Sequence, residues 1–204
     1  PIPTLPVMPI DAWLQMFDQH TLNASQQRWI IKPEDGAGCD GIFLFDSPQA
    51  LASWLHAGRA SEKHICQPYE AGIAASFSML CKHGEAWLLS CNSQHLAVQH
   101  YDLKLTGITL NAFDDVDGRI AALAQKIAQM LPDALGYMGV DIVITPDTNN
   151  IFVIEINPRL TTSYVGLGEA TGQNMAKLVL DCVLLPQFVC PTLQKNQVEI
   201  SFGE

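Results

Sequence analysis

The segment from Gly136 to Arg159, GYMGVDIVITPDTNNIFVIEINPR, leaves little freedom in how it folds. It reads as two β-strands joined by a tight turn, with an acid on the first strand and Glu-x-Asn-x-Arg closing the second. Counting outward from a turn centred near Thr148 places Asp141 opposite Glu155. Directly opposed residues on paired strands share a face, and so do residues two apart. Asp141, Glu155 and Asn157 therefore converge at one end of an otherwise mostly apolar hairpin. Two carboxylates and an amide oxygen make a hard oxygen cage for a divalent cation, most naturally Mg2+ shared with nucleotide phosphates. Arg159, beside that cage, is placed to hold a phosphate or carboxylate through its planar fork of donors. The bland alternative is two surface acids flanking a turn. Against it, acids that interrupt an apolar strand are costly unless a cation or basic partner compensates them.

At 204 residues the chain fits one domain, or one lobed domain, with length enough for a substantial core. A net charge of -10 argues against nucleic acid, which needs a basic footprint, and no basic run with interleaved aromatics occurs. The six cysteines show neither CxxC nor zinc-ligand spacing, so a reduced compartment is expected. No signal peptide and no apolar run of the ~20 residues that span a bilayer is found. The expectation is a cytoplasmic protein without a membrane partner.

Pro1 to Pro9, PIPTLPVMP, cannot be a regular helix or a central strand and reads as an extended lead-in at a boundary. Ile10 to His20 is weakly amphipathic. Arg28 to Lys32 is a short strand, Pro33 to Gly41 a glycine-rich loop, and Ile42 to Phe45 a second strand. Ser47 followed by Pro48 starts a helix that stops near Gly58. Strands are expected over His64 to Tyr69, Ala75 to Lys82 and Ala86 to Cys91, the last two joined by His83-Gly84-Glu85. Helical spacing of apolar residues marks Asp115 to Leu131, with Val116 on its apolar face, and about Glu169 to Leu184. Strands cluster into hairpins instead of alternating with helices, which predicts an α+β fold with antiparallel sheets.

Lys32 ends a strand directly before the glycine loop, where it can place a positive charge on a phosphate. Gly36, Gly38 and Gly41 let backbone N–H groups approach the same phosphates. An ordinary strand-end lysine and loop is the competing view. Neither a GxxxxGK[ST] loop nor a GxGxxG opening a helix is present. In His64 to Glu70, HICQPYE, the backbone can pair with an adenine edge, with Gln67 beside it and Tyr69 beneath; a plain buried strand is the alternative. His95 and His100 lack the spacing of a helical zinc site, and no GxSxG elbow occurs.

Lys32, the glycine loop, the HICQPYEAG linker and the hairpin ending Glu155-Ile156-Asn157-Pro158-Arg159 together resemble the ATP-grasp superfamily, over about Trp29 to Gly168. The continuation LTTSYVG is similar to the branch of small carboxylate–amine ligases. The resemblance implies a nucleotide held between two α+β lobes. These are a smaller glycine-loop lobe over about residues 20–70 and a larger metal-binding lobe over about 71–190. It implies that Lys32, Gly36, Gly38 and Gly41 meet ATP phosphates and that Gln67 and Glu70 lie along the adenine, largely through backbone. Asp141, Glu155 and Asn157 would hold Mg2+ or Mn2+, and Arg159 would stabilise the transferred phosphoryl group or the acyl phosphate. Three departures stand out: Pro68 replaces a lysine frequent in the linker, Ala74 stands where an acid often meets the ribose, and an upstream phosphate-binding lysine has no counterpart. The family's amino-terminal α/β domain is also missing, so the chain is expected to be part of a longer enzyme.

The implied activity is ATP-dependent joining of a carboxylate to an amine, or to a thiol, through an acyl phosphate. The expected partners are small carboxylate and amine substrates, and a homodimer stays open. A different class is a nucleotide-binding regulatory or interaction module with impaired catalysis. A third keeps the fold but transfers phosphate to a hydroxyl. Thr161, Thr162, Ser163 and Tyr164 are expected to line the substrate side.

Overall fold

The computed structural model describes residues 1–19, 27–36, 39–60 and 63–202. In chain order the first elements are β1 (Met8–Pro9), α1 (Ile10–Asp18), β2 (Trp29–Pro33), β3 (Phe43–Phe45), α2 (Pro48–His56) and β4 (His64–Pro68). There follow β5 (Ile73–Lys82), β6 (Glu85–Gln99), β7 (Asp102–Leu110), α3 (Arg119–Met130), β8 (Gly136–Ile144) and β9 (Ile151–Asn157). The last are α4 (Tyr164–Thr171), α5 (Met175–Leu184) and β10 (Val198–Ser201). All named strands for which a register is seen pair antiparallel, as an α+β fold requires.

The chain divides into two compact units, residues 5–71 with 96–105, and residues 1–4 with 72–95 and 106–204. In the first, the strand order is β1, β4, β2, β3 and then the start of β7. Its core gathers Trp13, Trp29, Ile31, Phe45, Leu51, Trp54, Leu55 and Cys66. Trp13 is fully buried and stacks on Phe17 at 5.4 Å while meeting the edge of Trp29 at 5.5 Å. Ser47 caps α2 by accepting from the Ala50 N–H at 3.2 Å, with Pro48 in the first turn, and the chain leaves the helix at Gly58. The amphipathic stretch from Ile10 forms α1 as far as Asp18; His20, its expected end, lies outside the described residues.

In the second unit the order is β7, β6, β5, β8, β9, with β10 on the other side of β7. The β5–β6 connection is a two-residue turn in which His83 and Gly84 both have positive φ (50° and 79°), the twist-matched hairpin geometry. One sheet face packs Phe77, Met79, Met138, Val140 and Ile142 against Ile120, Leu123, Ala124 and Ile127 of α3. Helix α3 is shorter than its sequence pattern predicts. Asp115 stays outside it and caps its first turn, Oδ1 accepting from the Ile120 N–H at 2.9 Å and Oδ2 from the Ala121 N–H at 2.8 Å. Val116 is consequently 92% exposed instead of facing the core. The expected final helix is two helices, because Gly172 turns left-handed (φ 68°) and Asn174 caps a new start at the Lys177 N–H. Buried Lys82 donates to the carbonyls of Cys182 and Leu185 at the end of α5. Burial pushes the thiols of Cys66, Cys81 and Cys91 up to about 12, so they serve as small apolar side chains.

Candidate functional site

The acid cluster is built by an irregularity in the β8–β9 hairpin. From the turn, Ile144 faces Ile151, Val143 faces Phe152 and Ile142 faces Val153. The turn is fixed by hydrogen bonds from the Thr145 N–H to the Asn150 carbonyl (3.0 Å) and from the Asn149 N–H to the Thr145 carbonyl (2.8 Å). Continued unchanged, that register would set Asp141 against Ile154 and turn Glu155 toward the opposite face. A bulge at Ile154 inserts one residue, so Asp141 faces Glu155 and Gly139 faces Asn157. The three oxygen-bearing residues thus share a face, as their spacing from Thr148 suggests.

Hydrogen bonds then fix them. Asn157, only 5% exposed, donates through Nδ2 to Asp141 Oδ2 at 3.0 Å. Arg159 Nη2 donates to Asn157 Oδ1 at 2.8 Å, so the guanidinium is tied to the cage through the amide. On the other side Gln94 Nε2 donates to Asp141 Oδ1 at 2.7 Å. Glu155 and Arg159 are exposed, while Asp141 is half-buried. Burial, and after it the charge of Glu155, push the Asp141 carboxyl up to about 6, against the lowering by Gln94, Asn157 and the Arg159 cation. A pair of acids whose mutual repulsion raises a carboxyl in this way is one that a divalent cation would relieve. Among the described residues no group of three or more His, Cys, Asp or Glu side chains is arranged for a metal. Two carboxylates and one amide oxygen fit the alternative, a Mg2+ ion that takes its remaining ligands from phosphates and water.

Gln94 escapes the sequence reading because its strand is expected to end at Cys91. The signal is nevertheless present: Ser90, Asn92 and Gln94 alternate with Leu89, Cys91 and Ser93 along β6, a polar face continuing beyond the apolar run. Beyond Arg159 the chain folds back over β8. Tyr137 Oη bonds Ser78 Oγ (3.0 Å) and Thr161 Oγ1 (2.7 Å), and Thr161 Oγ1 bonds Ser163 Oγ (3.1 Å). Thr161 lies so close to Gly139 that a Cβ there would come within 2.5 Å of Thr161 Cγ2. The Tyr137 and Tyr164 rings meet edge to face at 5.3 Å.

The other candidate residues belong to the unit of residues 5–71 and 96–105 and form a group of their own. Lys32 pairs with Ile65 and Ile30 with Gln67, so Lys32 and Gln67 share one face of the β2–β4 pair, opposite the face that carries Ile31 and Cys66 into the core. Gln67 is buried, 3% exposed. β1 pairs with β4 only at Ile65 and Cys66. On that side the chain from Gln67 to the half-buried Glu70 has no strand partner among the described residues. The Tyr69 ring lies under the Arg28 guanidinium, 4.5 Å from its centroid. Gly36 is exposed, and Gly41 adopts φ 70°, a conformation that favours glycine. Gly38 lies outside the described residues. His95 bonds Thr109 Oγ1 at 3.0 Å and His100 sits in a turn. No described helix is long and apolar enough to cross a membrane.

Residues 4–163 match the ATP-grasp domain. The chain is 28% identical to tyramine–L-glutamate ligase of Methanocaldococcus fervens over 155 residues, 76% of this chain and 44% of that protein. It is 32% identical to the Methanocaldococcus jannaschii enzyme of the same name, again over 76% of this chain and 42% of that protein. It therefore spans less than half the length of the curated relatives it matches. Among solved structures, the biotin carboxylase domain of Hydrogenobacter thermophilus 2-oxoglutarate carboxylase, in complex with MgADP, ADP and bicarbonate, superposes with a TM-score of 0.72. That likeness covers 96% of this chain and 45% of the other at 14% identity, and it is one of fold.

Proposed function

The chain belongs to the ATP-grasp family, and on that premise we propose that it is the nucleotide- and metal-binding part of an ATP-dependent carboxylate–amine ligase. The observation that carries the proposal is the Asp141–Glu155–Asn157 oxygen cluster, tied to Arg159 through the Asn157 amide. In the reaction a substrate carboxylate oxygen attacks the γ-phosphorus of ATP and the bond to the bridging oxygen breaks, releasing ADP. The amine nitrogen then attacks the acyl carbon, loses a proton, and displaces phosphate. Mg2+, when bound, supplies charge neutralisation at the phosphate oxygens. Asp141, Glu155 and Asn157 would hold that ion. Arg159 would pair with the phosphoryl group or the acyl phosphate, its planar fork matching two oxygens.

In the other unit Lys32 would neutralise phosphate charge and the Gly36 to Gly41 loop would offer backbone N–H groups. The backbone from Gln67 to Glu70 would pair with the adenine edge, a role that the unpartnered side of β4 supports. Because it uses backbone groups, it does not require a lysine at Pro68. The names of the curated relatives make L-glutamate and tyramine the first substrates to try.

The test is ADP release by the full-length protein with Mg-ATP, L-glutamate and a panel of carboxylates and amines, with products weighed by mass spectrometry. A condensed product together with ADP is the expected result. Phosphate on a hydroxyl would make the protein a kinase. Mg-ATP binding without turnover on any pair would make it a regulatory module.

A further inference from the structure

Gln94 reaches Asp141 from a strand that is not its neighbour. The order runs β6, β5, β8, yet Gln94 Nε2 donates to Asp141 Oδ1 at 2.7 Å. The side chain must cross the width of β5, since two strand spacings come to about 9–10 Å. Small residues on β5 leave the path open. Ser76 is the register partner of Asp141, and Ala74 lies two residues back on the same face. A large side chain at either place would stand in the way of the glutamine arm.

The crossing completes a clamp. Gln94 holds Oδ1 and Asn157 Nδ2 holds Oδ2 at 3.0 Å, so each carboxylate oxygen has an amide donor and the carboxylate plane is fixed from both sides. An amide suits the task better than lysine or arginine, because it donates an N–H without a full positive charge that would repel a cation.

We propose, resting on the cation-site reading above, that Gln94 is a positioning residue for Asp141. It holds the carboxylate in the orientation that receives a divalent ion, and it does not touch that ion itself. Partners of this kind, one contact removed from a metal, orient its ligands and tune their affinity.

The test uses Mn2+ in place of Mg2+, titrated by electron paramagnetic resonance with ADP present, in the intact wild-type protein and in Gln94→Met and Gln94→Asn. Methionine keeps the length and removes the donor. Asparagine keeps the amide but is one methylene too short to cross β5. Both variants should bind Mn2+ about 10–100-fold more weakly, with metal-free ADP affinity held within about twofold. Wild-type Mn2+ affinity in either variant overturns the proposal, and so does an equal loss of metal-free ADP affinity, which marks general disruption. Should Gln94→Met not fold, Gln94→Asn decides alone. A wild-type protein that takes up no Mn2+ with ADP would sink the cation reading and this inference together. That result differs from a wild type that binds while its variants match it.

Discussion

In the β8–β9 hairpin the candidate residues are tethered side chain to side chain. Gln94 and Asn157 hold Asp141, and Arg159 holds Asn157, all within 2.7 to 3.0 Å. In the unit of residues 5–71 and 96–105 the candidates are chiefly backbone: glycines at 36 and 41, the unpartnered side of β4, and Gln67 with its side chain enclosed. On the proposed function, the difference follows from what each region would handle. Charge that develops at a phosphoryl group is met best by groups fixed beforehand, and only side chains carry formal charge to the spot. A purine edge and phosphate oxygens can be met by main-chain N–H and C=O groups, which every sequence supplies. On that reading a departure such as Pro68 weighs less in the nucleotide half than a lost carboxylate would in the hairpin.

The largest effects should therefore come from the hairpin acids. Asp141→Asn and Glu155→Gln should each lower ligase kcat on the order of 10²–10³-fold, with the thermal unfolding of the wild type retained. Either variant turning over at the wild-type rate would remove the acids from the cation site. Lys32→Met should act mainly on the KM for ATP, raising it about 10–100-fold through loss of one charge-assisted contact. If Lys32→Met instead abolished kcat as fully as Asp141→Asn, the contrast between a charge-handling hairpin and a backbone-reading unit would collapse.

Two glycines sharpen the same contrast in stability. Gly139→Ala forces a Cβ within 2.5 Å of Thr161 Cγ2, in the segment that follows Arg159. It should cost about 1–3 kcal/mol in urea unfolding, the usual price of overpacking. Gly41→Ala brings its Cβ to 3.2 Å from Pro33 Cγ, tight but less so than at Gly139, and must hold φ 70°. Its cost should be about 1 kcal/mol, chiefly from the backbone conformation. Reversal of that order would mean that Thr161 yields easily and that the turn over β8 is loosely held.

How far this was legible in the chain depends on how local each signal is. Ser47-Pro48, the His83-Gly84 turn and the α+β class rest on neighbouring residues and read directly. β7 does not: DLKLTGITL mixes a lysine and a glycine into a weak pattern, and one of the strands that pair with it, β10, is remote in sequence. At the site, Asp141 opposite Glu155 follows from counting out of Thr148, yet the turn itself sets a register one residue different. The bulge at Ile154 restores the pairing, and nothing in VIEIN announces a bulge. The polar alternation along β6 marks Gln94 but not its partner, for a related reason: Asp141 lies two strands away and the path depends on the smallness of Ala74 and Ser76.

The smallest expected effect is one of pH, and it belongs to the hairpin alone. The Asp141 carboxyl stands near 6 in the folded protein against an ordinary 3.8. Between those values the folded state binds more protons than the unfolded one, so unfolding free energy falls as pH rises. The stability that protonated Asp141 contributes is complete below about pH 4 and lost above about pH 6, an amount of about 1 kcal/mol once solvent screening of a half-buried group is allowed for. Asp141→Asn should flatten this stretch of the pH–stability curve measured in metal-free buffer by urea titration. Mg2+ should act in the opposite sense, because it binds the ionised carboxylate and competes with the proton: its stabilisation should be greatest above pH 6 and fade below it. A slope that survives in Asp141→Asn would move the titration to another group. A Mg2+ effect indifferent to pH would detach the cation from Asp141 while leaving the rest of the hairpin geometry as it stands.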